Sequence, residues 1–208
     1  MTSSRLSVRL SILGAAAVGL LAVAAGLGTG HLVGGLVSPT ASPFLAVGNT
    51  AIDLTPTWLK DFAVRNFGVY DKLVLLLGMA VVIGLFGVAA GLLSRRSRIP
   101  GLVLILMLGG VATTAVLTRP VTGALDVLAP LSALIISLAV FVLLHGWAQE
   151  GRDRSVDAAA AQTSRRRLLA GSAAVAAGAG IAAAGGQLLA GRGGVESSRA
   201  ALGRIVPA

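Results

Sequence analysis

Apolar residues in this chain come in long unbroken runs, and the polar residues gather between them. One run extends from about residue 10 to 30, a second from 73 to 94, a third from 100 to 118, a fourth from 127 to 147 and a fifth from 168 to 190. Crossing the hydrocarbon core of a bilayer takes about 20 consecutive apolar residues in a helix. The pattern therefore predicts an all-α integral membrane bundle of about five transmembrane helices. Pro100 and Pro130 fall in the first turns of the third and fourth spans, where proline is tolerated. Glycines recur along the first, second and fifth spans, at Gly14, Gly19 and Gly26, at Gly84, Gly87 and Gly91, and at Gly171 and Gly178. Such spacing lets helices approach closely.

The longest polar stretch between spans is residues 31–72. Ser38, Pro39, Ser42 and Pro43 are expected to break regular structure there. Thr55 and Pro56 then read as a helix start, with Thr55 as N-cap and Pro56 at the first helical position. Trp58, Leu59, Phe62, Val64 and Phe67, interleaved with Lys60, Asp61 and Arg65, predict a short amphipathic helix at the membrane interface. Asp53, Trp58, Lys60, Asp61, Arg65, Asp71 and Lys72 gather in this stretch. They are candidates for a docking surface, set against the plainer reading of a solvated loop with weak local ion pairs.

Charge then orients the bundle. Arg5 and Arg9 precede the first span, which reads as an uncleaved signal anchor, since it is long for a signal peptide and no small-x-small cleavage site follows it. With the N-terminus inside, the dense clusters Arg95, Arg96 and Arg98, then Arg152, Arg154, Arg165, Arg166 and Arg167, also fall inside. Lys60, Arg65, Lys72, Arg119, Arg192, Arg199 and Arg204 fall outside. Five spans place the C-terminus outside the plasma membrane. Residues 148–167 become a cytoplasmic basic linker and residues 191–208 an extracytoplasmic tail leading to a further domain.

Composition agrees with this reading. The chain is 55% hydrophobic and only 12% charged, with mean hydropathy +0.88. Soluble domains carry about 25% charged residues. The net charge of +9 does not point to nucleic acid, because the basic residues sit in short runs between apolar spans. No cysteine is present, which excludes disulfides and thiolate ligands within these residues. His31 and His145 are expected at opposite ends of the bundle, too far apart to share one haem iron. No charged residue lies near the middle of a span, which argues against a transporter or proton pump.

Ser164-Arg165-Arg166-Arg167-Leu168-Leu169 resembles a twin-arginine export signal, and a weakly hydrophobic Ala/Gly-rich segment follows it. The same arginines equally suit an ordinary positive-inside flank. If the motif acts, Ser164, Arg165, Arg166, Leu168 and Leu169 carry it, and the twin-arginine translocase is the implied partner.

Ser42-Pro43-Phe44-Leu45-Ala46-Val47-Gly48, Ile52-Asp53-Leu54-Thr55-Pro56, Lys60, Phe62-Ala63-Val64-Arg65, Phe67-Gly68 and Asp71-Lys72 complete the picture. Together with the arginine segment they resemble the membrane region of actinobacterial-type molybdopterin-dependent oxidoreductases, the sulfite-oxidase-like group. The resemblance implies a membrane anchor and export module for an exported molybdopterin domain, held in cis or in trans. In that family a cysteine thiolate binds molybdenum. This chain has no cysteine, so no catalytic or cofactor-binding residue carries over, and the molybdopterin belongs to the missing domain. The alternative is a standalone membrane scaffold or a quinone-linked electron-transfer subunit.

Overall fold

A computed structural model describes residues 10–38, 41–119, 123–153 and 158–202. Every regular element among them is helical. The chain forms α1 (Ile12–Val37), α2 (Pro43–Leu54), α3 (Thr57–Phe67), α4 (Asp71–Leu93), α5 (Ile99–Leu117), α6 (Leu128–Asp153) and α7 (Ala158–Leu202). Short 3-10 turns at Gly68–Tyr70 and Ala124–Val127 lead into α4 and α6. Five segments are long and apolar enough to cross a membrane: Ile12–Val37, Leu73–Leu93, Ile99–Leu117, Ala124–Gln149 and Arg166–Gly191. The protein is a multi-pass, all-α membrane protein with the lipid bilayer as its solvent.

Local chemistry sets the helix ends. Ser11 caps α1, its Oγ accepting from the Gly14 N–H at 3.1 Å. Ser94 closes α4 and is fully buried, and its Oγ accepts from the Gly101 N–H at 2.8 Å in the first turn of α5. That bond satisfies one of the amide donors that a helix start leaves open. Asp126 does the same before α6, its Oδ2 accepting from the Gly123 N–H at 3.0 Å. At the arginine-rich end, Leu10 and Arg95 bind each other twice. The Leu10 N–H donates to the Arg95 carbonyl at 3.3 Å, and Arg95 Nε donates back to the Leu10 carbonyl at 2.9 Å.

α1 is the hub. It packs against α4, α6 and α7, and each contact is made through backbone too close for side chains to intervene. Against α4, a Cβ at Gly91 would strike the Ala15 carbonyl, and one at Gly19 would strike the Gly87 carbonyl. Against α6, a Cβ at Gly26 would strike Ser137 and the Ala133 carbonyl, and one at Gly30 would stand 3.1 Å from the Ala129 carbonyl. Against α7, a Cβ at Gly28 would stand 2.6 Å from the Ala179 carbonyl, and one at Gly35 would stand 2.7 Å from the Gly186 carbonyl. The pairings run in opposite sequence order for α4 and α6 and in the same order for α7. α4 and α6 are thus antiparallel to α1, and α7 is parallel to it. Lipid tails are as apolar as leucine, so close van der Waals packing has to supply the helix association that hydrophobicity supplies in water.

The structure departs from the expected boundaries at three places. Residues 31–72 are mostly helix. α1 continues to Val37, and Pro43 opens α2, since a proline at the first helical position forfeits no hydrogen bond. The amphipathic helix starts one residue late, at Thr57. Thr55 ends α2, and the Pro56 carbonyl accepts from the Lys60 N–H at 3.2 Å. The linker at 148–167 is also largely helical, because α6 runs to Asp153 and α7 begins at Ala158. The fifth span lies inside a 45-residue helix, about 67 Å long at 1.5 Å per residue.

Gly91→Ala is expected to destabilise the bundle by about 1–3 kcal/mol, the usual cost of overpacking. Gly110→Ala, where a Cβ meets nothing within 4 Å, is expected to be neutral or to stabilise by about 0.5–1 kcal/mol through helix propensity. Reversible unfolding in mixed micelles measures both, and equal effects would show that close approach at Gly91 is not required.

Candidate functional site

Three regions hold the polar chemistry. The first is the start of the apolar span within α7, at Arg166. Arg166 is exposed, and the Arg167 guanidinium lies over the Trp147 ring of α6, 5.2 Å from its centroid. That geometry suits a cation–π contact at a membrane interface. Leu168 packs against the buried core, whereas Leu169 is exposed. The backbone of Ser164 and Arg165 is part of α7, and their side chains lie outside the described residues. The candidate export-signal residues therefore stand on a helix, with the third arginine over Trp147 of α6.

The second region is the candidate docking stretch. Asp53, Trp58, Asp61 and Arg65 are exposed and Lys60 is half-buried, while the side chains of Asp71 and Lys72 lie outside the described residues. Trp58 and Phe62, one turn apart on α3, are 69% and 54% exposed. Tyr70, in the turn that follows α3, is also exposed. α3 thus projects bare aromatic rings from the end of the bundle opposite the arginines, as expected of an interfacial helix. Among the described side chains, none of these charged groups is ion-paired. The structure brings Trp58, Lys60, Asp61 and Arg65 onto one short helix, with Asp53 on α2 before it.

The third region is one that sequence reasoning missed. His31 sits inside α1, six residues before its end, and bonds in two directions. Its Nδ1 is 2.9 Å from Ser42 Oγ, and its Nε2 is 3.2 Å from Gln187 Oε1 on α7. The Nε2–H tautomer satisfies both contacts: Nε2 donates to the glutamine oxygen and Nδ1 accepts from the serine hydroxyl. The junction ties α1, the cap of α2 and α7 together. Gln187 is the only amide in the apolar run 168–190 and could have signalled it. An amide in lipid needs a partner.

His145 lies near the other end of the bundle. It is 2% exposed, stacks on Phe141 at 5.6 Å and accepts a hydrogen bond at Nε2 from Gln149 at 3.0 Å. The His31 contacts join separate helices whereas those of His145 stay within α6, and among the described residues no group of His, Asp and Glu side chains could hold a metal ion. An apolar cavity of about 80 Å³ lies between α1, α2, α4, α5 and α6. Its lining includes Leu27, Phe44, Val47, Ile83, Leu108 and Leu134, and Ser137 is the one hydroxyl-bearing residue among the lining side chains.

The fold defines a class, the multi-pass α-helical membrane proteins. Compared with protein families, curated proteins and solved structures, the chain matches none.

Replacing His31 by Phe and Gln187 by Leu, singly and together, tests the junction. The expected coupling is about 0.6 kcal/mol, with an upper bound of about 1.7, the range for hydrogen bonds between membrane helices. A double-mutant cycle on unfolding in bicelles measures it. Coupling indistinguishable from zero would mean that α7 is held by packing alone.

Proposed function

We propose that this chain is a membrane anchor and export module, with α7 as the segment that carries an attached or associated domain to the outer face of the plasma membrane. The observation that carries the reading is the setting of α7: a basic flank at its start, a weakly hydrophobic body, and parallel docking along α1 through small residues. A segment of low hydrophobicity needs a preformed surface to remain in the bilayer, and α1 provides one. In this reading the N-terminus is cytoplasmic and the C-terminus extracytoplasmic. The clusters at 95–98 and 165–167 then lie inside, as positive-inside charge requires.

The enzyme served is a molybdopterin-dependent oxidoreductase of the sulfite-oxidase-like kind. Support for this comes from the residues of α2 and α3 that resemble that group, with Ser42 to Gly48 and Ile52 to Pro56 foremost. The molybdopterin would belong to the partner domain, and the exposed rings and charges of α3 would meet that domain at the outer surface. Delivery through the twin-arginine translocase fits a partner that folds around its cofactor before crossing. A second reading, a quinone-linked electron-transfer subunit, draws on the cavity beneath α2. The single hydroxyl-bearing residue in its lining is sparse for a ring with two carbonyl acceptors, which favours the anchor.

Changing Arg165 and Arg166 together to Lys is expected to abolish most export of the chain's C-terminal end while leaving α1 to α6 inserted. A membrane-impermeant label on intact cells reads the outcome. Undiminished labelling would make α7 an ordinary fifth span. Molybdenum measured in the complex purified from its native cells tests the family assignment separately.

A further inference from the structure

The arginine-rich end of the bundle carries more charge than its internal contacts use. The turn between α4 and α5 presents Arg95, Arg96 and Arg98, and α7 brings Arg166 and Arg167 to the same end, beside the start of α1. Arg95 is tethered through Nε to the Leu10 carbonyl, and Arg167 lies on Trp147. Arg96, Arg98 and Arg166 are exposed. Among the described residues, no carboxylate pairs with any of the five.

Their depth is fixed by their neighbours. Leu93 and Ile99, on either side of the turn, are 61% and 66% exposed. Bare leucine and isoleucine at the end of a membrane span face acyl chains, so the guanidinium groups between them stand at the level of lipid headgroups. A phosphodiester placed there meets planar N–H donors that match its oxygens in pairs.

We propose that the α4–α5 turn, through Arg96 and Arg98, is a binding site for the headgroup phosphate of anionic phospholipids. The occupant is a lipid rather than a free anion, because the exposed apolar residues beside the turn accommodate the acyl chains that come with the phosphate. The site does not depend on the export reading, since neither Arg96 nor Arg98 belongs to that motif.

The test uses the full chain, purified in detergent and mixed with equal amounts of phosphatidylglycerol and phosphatidylcholine, with retained lipid counted by native mass spectrometry. The wild-type chain is expected to retain phosphatidylglycerol preferentially. The double substitution Arg96→Gln with Arg98→Gln is expected to lower that retention about thirtyfold, at about 1 kcal/mol for each basic residue near a membrane surface. Lys60→Gln with Arg65→Gln, at the opposite end, is expected to leave it unchanged. Elution as a single species and an unaltered helical circular dichroism spectrum establish that each variant is folded. Should the double variant fail that check, Arg98→Gln alone is read in its place. Equal retention of the two lipids by the wild type would overturn the proposal, as would full phosphatidylglycerol retention by the folded variant. Displacement of the lipid by millimolar inorganic phosphate would overturn the assignment to a lipid and leave a site for free anions.

Discussion

Everything in this bundle depends on backbone-to-backbone contact along α1. In water a central helix would be held by large apolar side chains driven out of solvent. In lipid that drive is absent, and association relies on dispersion forces that fall off within fractions of an ångström. Glycine and alanine on α1 allow three neighbours to approach at once: α4 at Ala15 and Gly19, α6 at Gly26, α7 at Gly28 and Gly35. Many large side chains are turned to the outside, while Phe141, Ile105 and Leu144 fill the core. Leu77, Val81, Leu85, Met107 and Val111 all face the bilayer, as is appropriate where the solvent is hydrocarbon.

The same medium explains how the ends are finished. A free amide or hydroxyl at membrane depth has no water to turn to. Some polar side chains in the bundle bond within their own helix, as Thr29, Thr113 and His145 do, and others act as joints. Ser94 binds the first turn of α5, Asp126 binds the entry to α6, and His31 links Ser42 to Gln187. The last of these joins the hub to α7, the helix on which the functional proposal rests. It makes the fifth span part of the bundle and not a separate appendage.

The membrane spans were legible in the sequence because a hydrocarbon slab about 30 Å thick imposes a single length scale that apolar runs must meet. The turn at Ser94 to Arg98 and the helix containing Trp58 were legible for similar reasons, a cluster of charge in one case and aromatic spacing in the other. Three things were not. Pro43 reads as a breaker in the sequence, yet it starts a helix, because only the surrounding bundle supplies the surface that buries Ala46 and Gly48 of α2. The glycines suggested close packing without naming partners, since contact between helices is set in three dimensions. The His31 junction spans 156 residues to Gln187, a separation at which no local pattern operates. Arg165, Arg166 and Arg167 were plain as a run of charge, and their place on a helix that lies along α1 came from the fold.

The parallel docking of α7 on α1 is the central claim, and the absence of native cysteine makes it directly measurable. Leu32→Cys combined with Gly185→Cys puts two thiols where a Leu32 methyl now lies 3.3 Å from a Cβ built at Gly185. Oxidative cross-linking of that pair in native membranes is expected to be fast and nearly complete. Leu32→Cys combined with Ala173→Cys, displaced along α7 by about 18 Å at 1.5 Å per residue, is expected to give no product. Efficient cross-linking of the second pair, or none of the first, would contradict the account.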